Sequence, residues 1–355
     1  MNLFNKSFIF SLILLYSFCS IAKPKIAFVM ILEDPNYKFT QRIMKAYQFL
    51  NKSDSFETSF YSHNGDIESI QKVSQEINKK QYDLVIGGET SRTAIILSKF
   101  ITNIPILSPT ATSPQVIEEA KNLFLLSSSN NTIAKETSKL LSKFISPNST
   151  FVFFHNKSSP YSDQMTKEII SKVKNEYPSI PLKIITYFDG LPITKKLLSP
   201  AIKHQNVLFI SYSKESELRL VHHTLVSNNT YPIYFGGDAW GSNEMITSSF
   251  QKNDKKFHAV KYTYWDEDRC QTQRLKDICQ SFLKENKSIN EYHAIGFDTF
   301  LFIKKGWDDK NKTFNFEQHN DFFTSQKIQL QTNRAPNKDL FFYEFKDGKR
   351  QLLKI

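Results

Sequence analysis

Short apolar, β-branched runs alternate along this chain with longer stretches in which apolar residues recur every three or four positions. The short runs predict strands over Lys25–Ile31, Thr58–Ser62, Asp83–Ile86, Pro105–Leu107, Thr150–His155, Leu182–Tyr187, Asn206–Tyr212 and Pro232–Phe235. The longer ones predict amphipathic helices over Lys38–Leu50, Asp66–Lys79, Ser91–Phe100, Ile133–Phe144, Ser162–Asn175 and Lys214–Ser227. Strand followed by helix, repeated, is the pattern of parallel βα units. The strands are continuously apolar rather than alternating, as in a sheet covered by helices on both faces. A polar break, SSSNNT at Ser127–Thr132, divides the series into halves that each hold enough material for one open sheet. The expectation is an α/β protein of two similar, Rossmann-like lobes with parallel sheets. After His258–Trp265 follow two more helical stretches, Asp266–Lys284 and Tyr292–Trp307, and a terminal strand pair, LFFYEFKDGKRQLLKI, turning at Asp347 and Gly348.

The first 22 residues, MNLFNKSFIFSLILLYSFCSIA, change the picture by adding an address. One lysine, an apolar core from Phe8 to Phe18 and small residues at Ser20 and Ala22 read as a cleaved secretory signal peptide, with the mature chain starting at Lys23. The apolar run is short for a bilayer span, and Phe18 before Cys19 argues against lipid attachment. An exported protein is expected. In an oxidising compartment the two later cysteines, Cys270 and Cys279, are candidates for a disulfide, two free buried thiols being the alternative. Neither a CxxC pair nor a Cys/His cluster with zinc spacing occurs, and His222 and His223 are adjacent on a predicted helix and point to different faces. No metal and no cofactor are expected. The net charge of +11 comes from scattered lysines rather than a patch, so no nucleic-acid partner is expected. With no GxSxG, HExxH, P-loop or paired-carboxylate constellation, catalysis is not expected.

The candidate chemistry lies where the predicted strands end. Only 10 of 355 residues are glycine, and five of those fall in YDLVIGGETSRTA and PIYFGGDAWGS. Open parallel sheets bind ligands outside the carboxyl ends of their strands, where backbone amides and helix N-termini face outward. Gly87 and Gly88 let the chain turn closely there, and Ser91 and Thr93 offer hydroxyls beside the next helix. The simpler reading is that Thr90 or Ser91 caps that helix. The following strand end, PILSPTATSP, crowds Ser108, Thr110, Thr112 and Ser113 between two prolines, a cradle suited to a carboxylate or another small anion. Further along, HNKSSPY, LFISYSKE and IYFGGDAW place Tyr161, Tyr212 and Asp238 at strand ends of the second lobe.

With VIGGETS, SPTATSP and GGDAW in this order, the chain resembles the type I periplasmic binding proteins, in the leucine/isoleucine/valine-binding branch of ABC-transporter substrate-binding proteins. The resemblance implies three crossings between lobes, with residues 23–127 and 266–335 in the N-terminal lobe and 128–265 and 336–355 in the C-terminal lobe. It implies that Ser91, Thr110 and Thr112 hold an amino acid's α-carboxylate and that Asp238 pairs with its ammonium. Tyr212 would stack on or hydrogen-bond the ligand's main-chain part, Tyr161 would close from the second lobe, and Tyr37 and Tyr292 would line the side-chain pocket. It also implies a periplasmic location, a small-molecule ligand and an ABC permease as partner. Two features depart from the family: the first loop, MILEDPNYKF, lacks its usual glycines, and Glu89 stands where binders of aliphatic amino acids carry an apolar residue. Glu89 either selects a polar or cationic ligand side chain or is a solvated helix-start acid. The same fold also serves envelope receptors and activators of peptidoglycan synthases, which act through protein contacts.

Overall fold

The computed structural model describes residues 23–353 except 35–36, 241–245, 248–249, 251–253, 255, 266–271, 316–318, 326, 331–333 and 337, and the side chain of Asp238. Among the described residues the chain builds two large sheets. The first contains β1 (Lys25–Met30), β2 (Glu57–Ser62), β3 (Leu84–Gly87), β4 (Ile106–Ser108) and β5 (Leu123–Leu125) in the order β2-β1-β3-β4-β5, all parallel. The connections run through α1 (Lys38–Leu50), α2 (Ile67–Asn78), α3 (Ser91–Phe100) and the short α4 (Pro114–Glu119). The second sheet has β6 (Ser149–Asn156), β7 (Leu182–Tyr187), β8 (Asn206–Ser211), β9 (Ile233–Gly236) and β10 (His258–Thr263), parallel to one another. A hairpin of β11 (Phe341–Lys346) and β12 (Lys349–Leu353) extends it antiparallel beside β10. Its helices are α5 (Asn130–Leu141), α6 (Pro160–Glu176), α7 (Ser199–Ile202) and α8 (Glu215–Val226).

The continuously apolar strands are explained by burial on both faces. In β1, Ile26, Phe28 and Met30 face a core shared with α1, whereas Ala27 and Val29 face one shared with α2 and α3. In β6, Val152 and Phe154 pack toward α7 and α8, and Phe151 and Phe153 toward α5 and α6. Each of these side chains larger than alanine contributes about 1.5–3 kcal/mol of transfer free energy, so a one-residue slip in either strand would exchange two filled faces.

Three predicted boundaries moved for local reasons. The helix expected from Ile133 begins at Asn130, behind Ser129. The one expected from Ser162 begins at Pro160, because Ser159 accepts the Ser162 amide and proline fits the first helical turn. The one expected from Asp266 is described from Gln273, where Thr272 caps it; residues 266–271 lie outside the described residues. The pattern missed α4 and β5, which are only six and three residues long.

The late helices α9 (Gln273–Glu285) and α10 (Glu291–Gly306) return to the first sheet and join its core through Phe282, Phe297 and Phe300. The chain therefore passes between the sheets three times, and buried ionic groups tie these passages together. Lys338, on the third, donates its amide to Ser128 Oγ on the first (2.7 Å). Its ammonium donates to Thr324 Oγ1 (2.5 Å) and lies 5.7 Å from the ring centroid of Tyr264, beside the second. Asp298 of α10 accepts the Phe323 and Thr324 amides (2.7 and 2.8 Å) and the Thr324 hydroxyl. Burial lowers the Lys338 ammonium to about 8, with Asp298 opposing, and raises Asp298 above the usual carboxylate range, with Lys338 opposing. A second buried pair joins Lys261 of β10 to Glu291 at the start of α10 (3.0 Å).

Candidate ligand cleft

The carboxyl ends of β1 to β4 carry one wall of the candidate site. Gly88 adopts a left-handed φ of +73° at the end of β3, and a Cβ there would lie 2.6 Å from Ala94 Cα, so the strand-to-helix turn requires glycine. The cap of α3 is Thr90: its hydroxyl accepts the Thr93 amide (3.1 Å) while Thr93 Oγ1 accepts the Thr90 amide (3.0 Å). Thr93, offered above as a ligand hydroxyl, is thus taken up by the cap. Ser91 is not the cap. It is buried, and its Oγ accepts the Ser113 amide (3.3 Å), which leaves its own proton available.

The adjoining loop after β4 is held by its own hydroxyls. Ser108 Oγ donates to Gly88 O (2.6 Å) and accepts the Ala111 amide (3.1 Å). Thr110 Oγ1 donates to Glu89 O (2.7 Å), so its oxygen remains as an acceptor. Thr112 is buried, and its carbonyl accepts the amide of Asn130, the first residue of α5. These bonds place Ser91, Glu89, Thr110 and Thr112 at the adjoining ends of β3 and β4. Two neighbours join them: the Ser113 hydroxyl and the Asn130 side-chain amide are buried without a hydrogen-bond partner among the described residues.

Glu89 is not the solvated helix-start acid of the simpler reading. Its side chain is 0% exposed, 3.6 Å from Nε2 of an equally buried His63 at the end of β2. Tyr37, half-buried after β1, leads a row of rings through Phe39 to Tyr292 of α10, with centroids 5.7 and 5.4 Å apart. Burial raises the Tyr37 hydroxyl above its ordinary value, Lys214 opposing and Glu89 and Asp34 adding to the rise.

The opposite wall comes from β6, β8, β9 and β10. Tyr161 and Tyr212 meet edge to face at 6.1 Å, and the Tyr161 hydroxyl is hydrogen-bonded to that of Tyr262 (2.8 Å). Gly236 and Gly237 do not have left-handed φ. They make room: a Cβ on Gly236 would lie 2.2 Å from the Trp240 indole and one on Gly237 2.1 Å from the Tyr262 ring. The Asp238 backbone lies in the short turn that follows, and its side chain is outside the described residues. The walls approach each other, since α3 packs against α6.

Sequence reasoning did not select His63, Asn130 or Tyr262. Each follows or ends a strand or opens a helix, but their importance lies in what they face. Away from the cleft, His222 bonds the Tyr234 hydroxyl (3.0 Å) and approaches Asp254 (3.2 Å) while His223 is exposed, consistent with different faces of α8. Cys279 is disulfide-bonded; its expected partner Cys270 lies outside the described residues. No helix among the described residues is long and apolar enough to cross a membrane.

No protein-family profile matches the chain, and no curated protein matches it in sequence. Solved structures match in shape. A leucine-binding protein, LivK, from Thermotoga maritima superposes with a TM-score of 0.79 at 13% identity, covering 93% of this chain and 98% of that one. The branched-chain amino acid transporter substrate-binding protein LivJ from Streptococcus pneumoniae, solved with isoleucine, gives 0.76 at 14% identity, with 94% and 100% covered. An ABC-transporter solute-binding protein from R. palustris, solved with benzoate, gives 0.73 at 15%, with 94% and 96% covered. The chain has the type I periplasmic binding protein fold, as the strand-end motifs implied.

Proposed function

We propose that the protein is exported to the periplasm, closes on a small zwitterion, most simply an amino acid, and delivers it to an ABC permease without chemical change. The observation that carries this reading is the set of buried polar groups gathered at one rim: the Ser91 hydroxyl, whose proton has no acceptor, and the Ser113 hydroxyl and Asn130 amide, which have no partner, among the described residues. Buried polar groups are nearly always hydrogen-bonded in the functional state, and these donors suit a carboxylate. Thr112 and Thr110 belong to the same rim, the Thr110 hydroxyl proton being donated to the Glu89 carbonyl. Asp238 supplies the ammonium's charge partner, Tyr161 and Tyr212 close over the ligand's main-chain part, and Tyr37 and Tyr292 line the space for its side chain. Residues 23–127 with 266–335 form one closing unit, and 128–265 with 336–355 the other.

A thermal-shift screen of the secreted chain against amino acids tests this. A ligand at a hundredfold excess over Kd adds about 2.7 kcal/mol of stability. Asp238→Asn is expected to weaken the hit by about 2 to 5 kcal/mol, since it removes one partner of an enclosed charge pair. Binding within about threefold of wild type, roughly 0.6 kcal/mol, would reject the zwitterion and favour action through protein contacts at the envelope.

A further inference from the structure

One buried carboxyl group on the first wall, that of Glu89, lacks a hydrogen-bond partner among the described residues, and both of its oxygens are enclosed. His63 lies beside it, yet its Nδ1 accepts the Gly65 amide (3.0 Å). The ring therefore carries its single proton on Nε2, and at 3.6 Å this neutral donor lies beyond hydrogen-bond length of Glu89 Oε2. The Glu89 backbone is fixed by Thr110, so the carboxylate is held at the carboxyl end of β3, two residues before Ser91. Lys214 and Arg92 are exposed, so neither supplies a buried counter-charge.

An enclosed carboxylate without a charge partner destabilises a fold, and an apolar residue of similar size would not. At a strand end beside the proposed ligand rim, such a group marks where a ligand supplies the missing partner. We propose that Glu89 is the subsite for a cationic group, so that the ligand is an amino acid whose side chain ends in a guanidinium or ammonium. This rests on the zwitterion reading and specifies its far end. His63 acts as a positioning residue, its Nε2 3.6 Å from the carboxyl group.

Calorimetric titration of the secreted chain with L-arginine, L-lysine, L-citrulline, L-leucine and agmatine tests it, using wild type, Glu89→Gln and Glu89→Leu, with apo melting temperatures as the folding control. Arginine or lysine is expected to bind at least about 30-fold tighter than citrulline and leucine, the lower limit for an enclosed charge pair. Glu89→Gln should abolish that preference. Glu89→Leu should raise the apo melting temperature and turn the preference toward leucine. Wild type that favours leucine or citrulline, or folded Glu89→Gln that keeps its arginine affinity within about threefold, overturns the cationic subsite and leaves the zwitterion reading standing. Glu89-dependent binding of agmatine at the strength of arginine supports the subsite and overturns the zwitterion, because agmatine lacks the carboxylate. No binding of any probe overturns both.

Discussion

Lys338→Met removes the ammonium at the meeting point of the three inter-sheet passages. Asp298 would keep its two backbone amides and the Thr324 hydroxyl but lose its charge partner. Truncating one member of a buried pair costs about 3–5 kcal/mol, and the three remaining hydrogen bonds place the expected loss at pH 7 at the lower end. The pH dependence separates this from a packing defect. In wild type the Lys338 ammonium titrates near 8 in the folded state against 10.5 as its ordinary value. Between those values the unfolded chain binds more protons, so stability rises with pH, by about 3 kcal/mol for a shift of this size. Lys338→Met should lack that rise. Asp298 behaves oppositely: its folded carboxyl is raised and rises further without Lys338, so the variant's deficit shrinks as the pH falls toward 4. Urea unfolding of wild type, Lys338→Met, Asp298→Asn and the double variant across pH 5 to 10 measures the coupling directly. Parallel stability curves for wild type and Lys338→Met from pH 8 to 10 would refute the assignment, as would a loss below about 1 kcal/mol at pH 7.

Two further outcomes test the cleft walls. Thr90→Ala should cost about 1 kcal/mol of stability by uncapping α3 while leaving ligand affinity unchanged, whereas Ser91→Ala should leave stability nearly intact and cost about 1.5–3 kcal/mol of affinity for a charged ligand group. The reverse pattern in urea melts and titrations would return Ser91 to a capping role. Gly237→Ala should lose about 1–3 kcal/mol by overpacking against Tyr262 and weaken binding as the Tyr161–Tyr262 pair shifts; an unchanged melt would show that the ring moves aside freely.

Much of the wall carrying Ser91, Thr110 and Thr112 was legible in the chain because it depends on local rules. A parallel strand delivers whatever follows it to the carboxyl edge of its sheet, so hydroxyls after β3 and β4 had to converge there. The two-faced burial of β1 and β6 was likewise written in their unbroken apolar runs. What the pattern left open were choices between neighbouring hydroxyls. Thr90 caps α3 because its backbone is extended (φ −126°, ψ 158°) and Ser91 is already helical, a distinction of dihedrals that composition does not carry.

Other features required the tertiary structure. The second glycine pair was read only as bringing Asp238 to a strand end; the space it leaves is taken by Trp240 and by Tyr262, the latter on another strand. Glu89 reads in sequence either as a selector of a polar or cationic ligand side chain or as a solvated acid at a helix start, and only its enclosure with His63, from a different strand end, shows that its carboxyl group is buried. Lys338 is one lysine among many until Ser128, Tyr264, Asp298 and Thr324 surround it from distant parts of the chain. Sequence determines what each strand end presents, because periodicity and turn chemistry act over a few residues. Which of those groups lose their water, and whether a partner replaces it, is decided by packing between segments far apart in the chain.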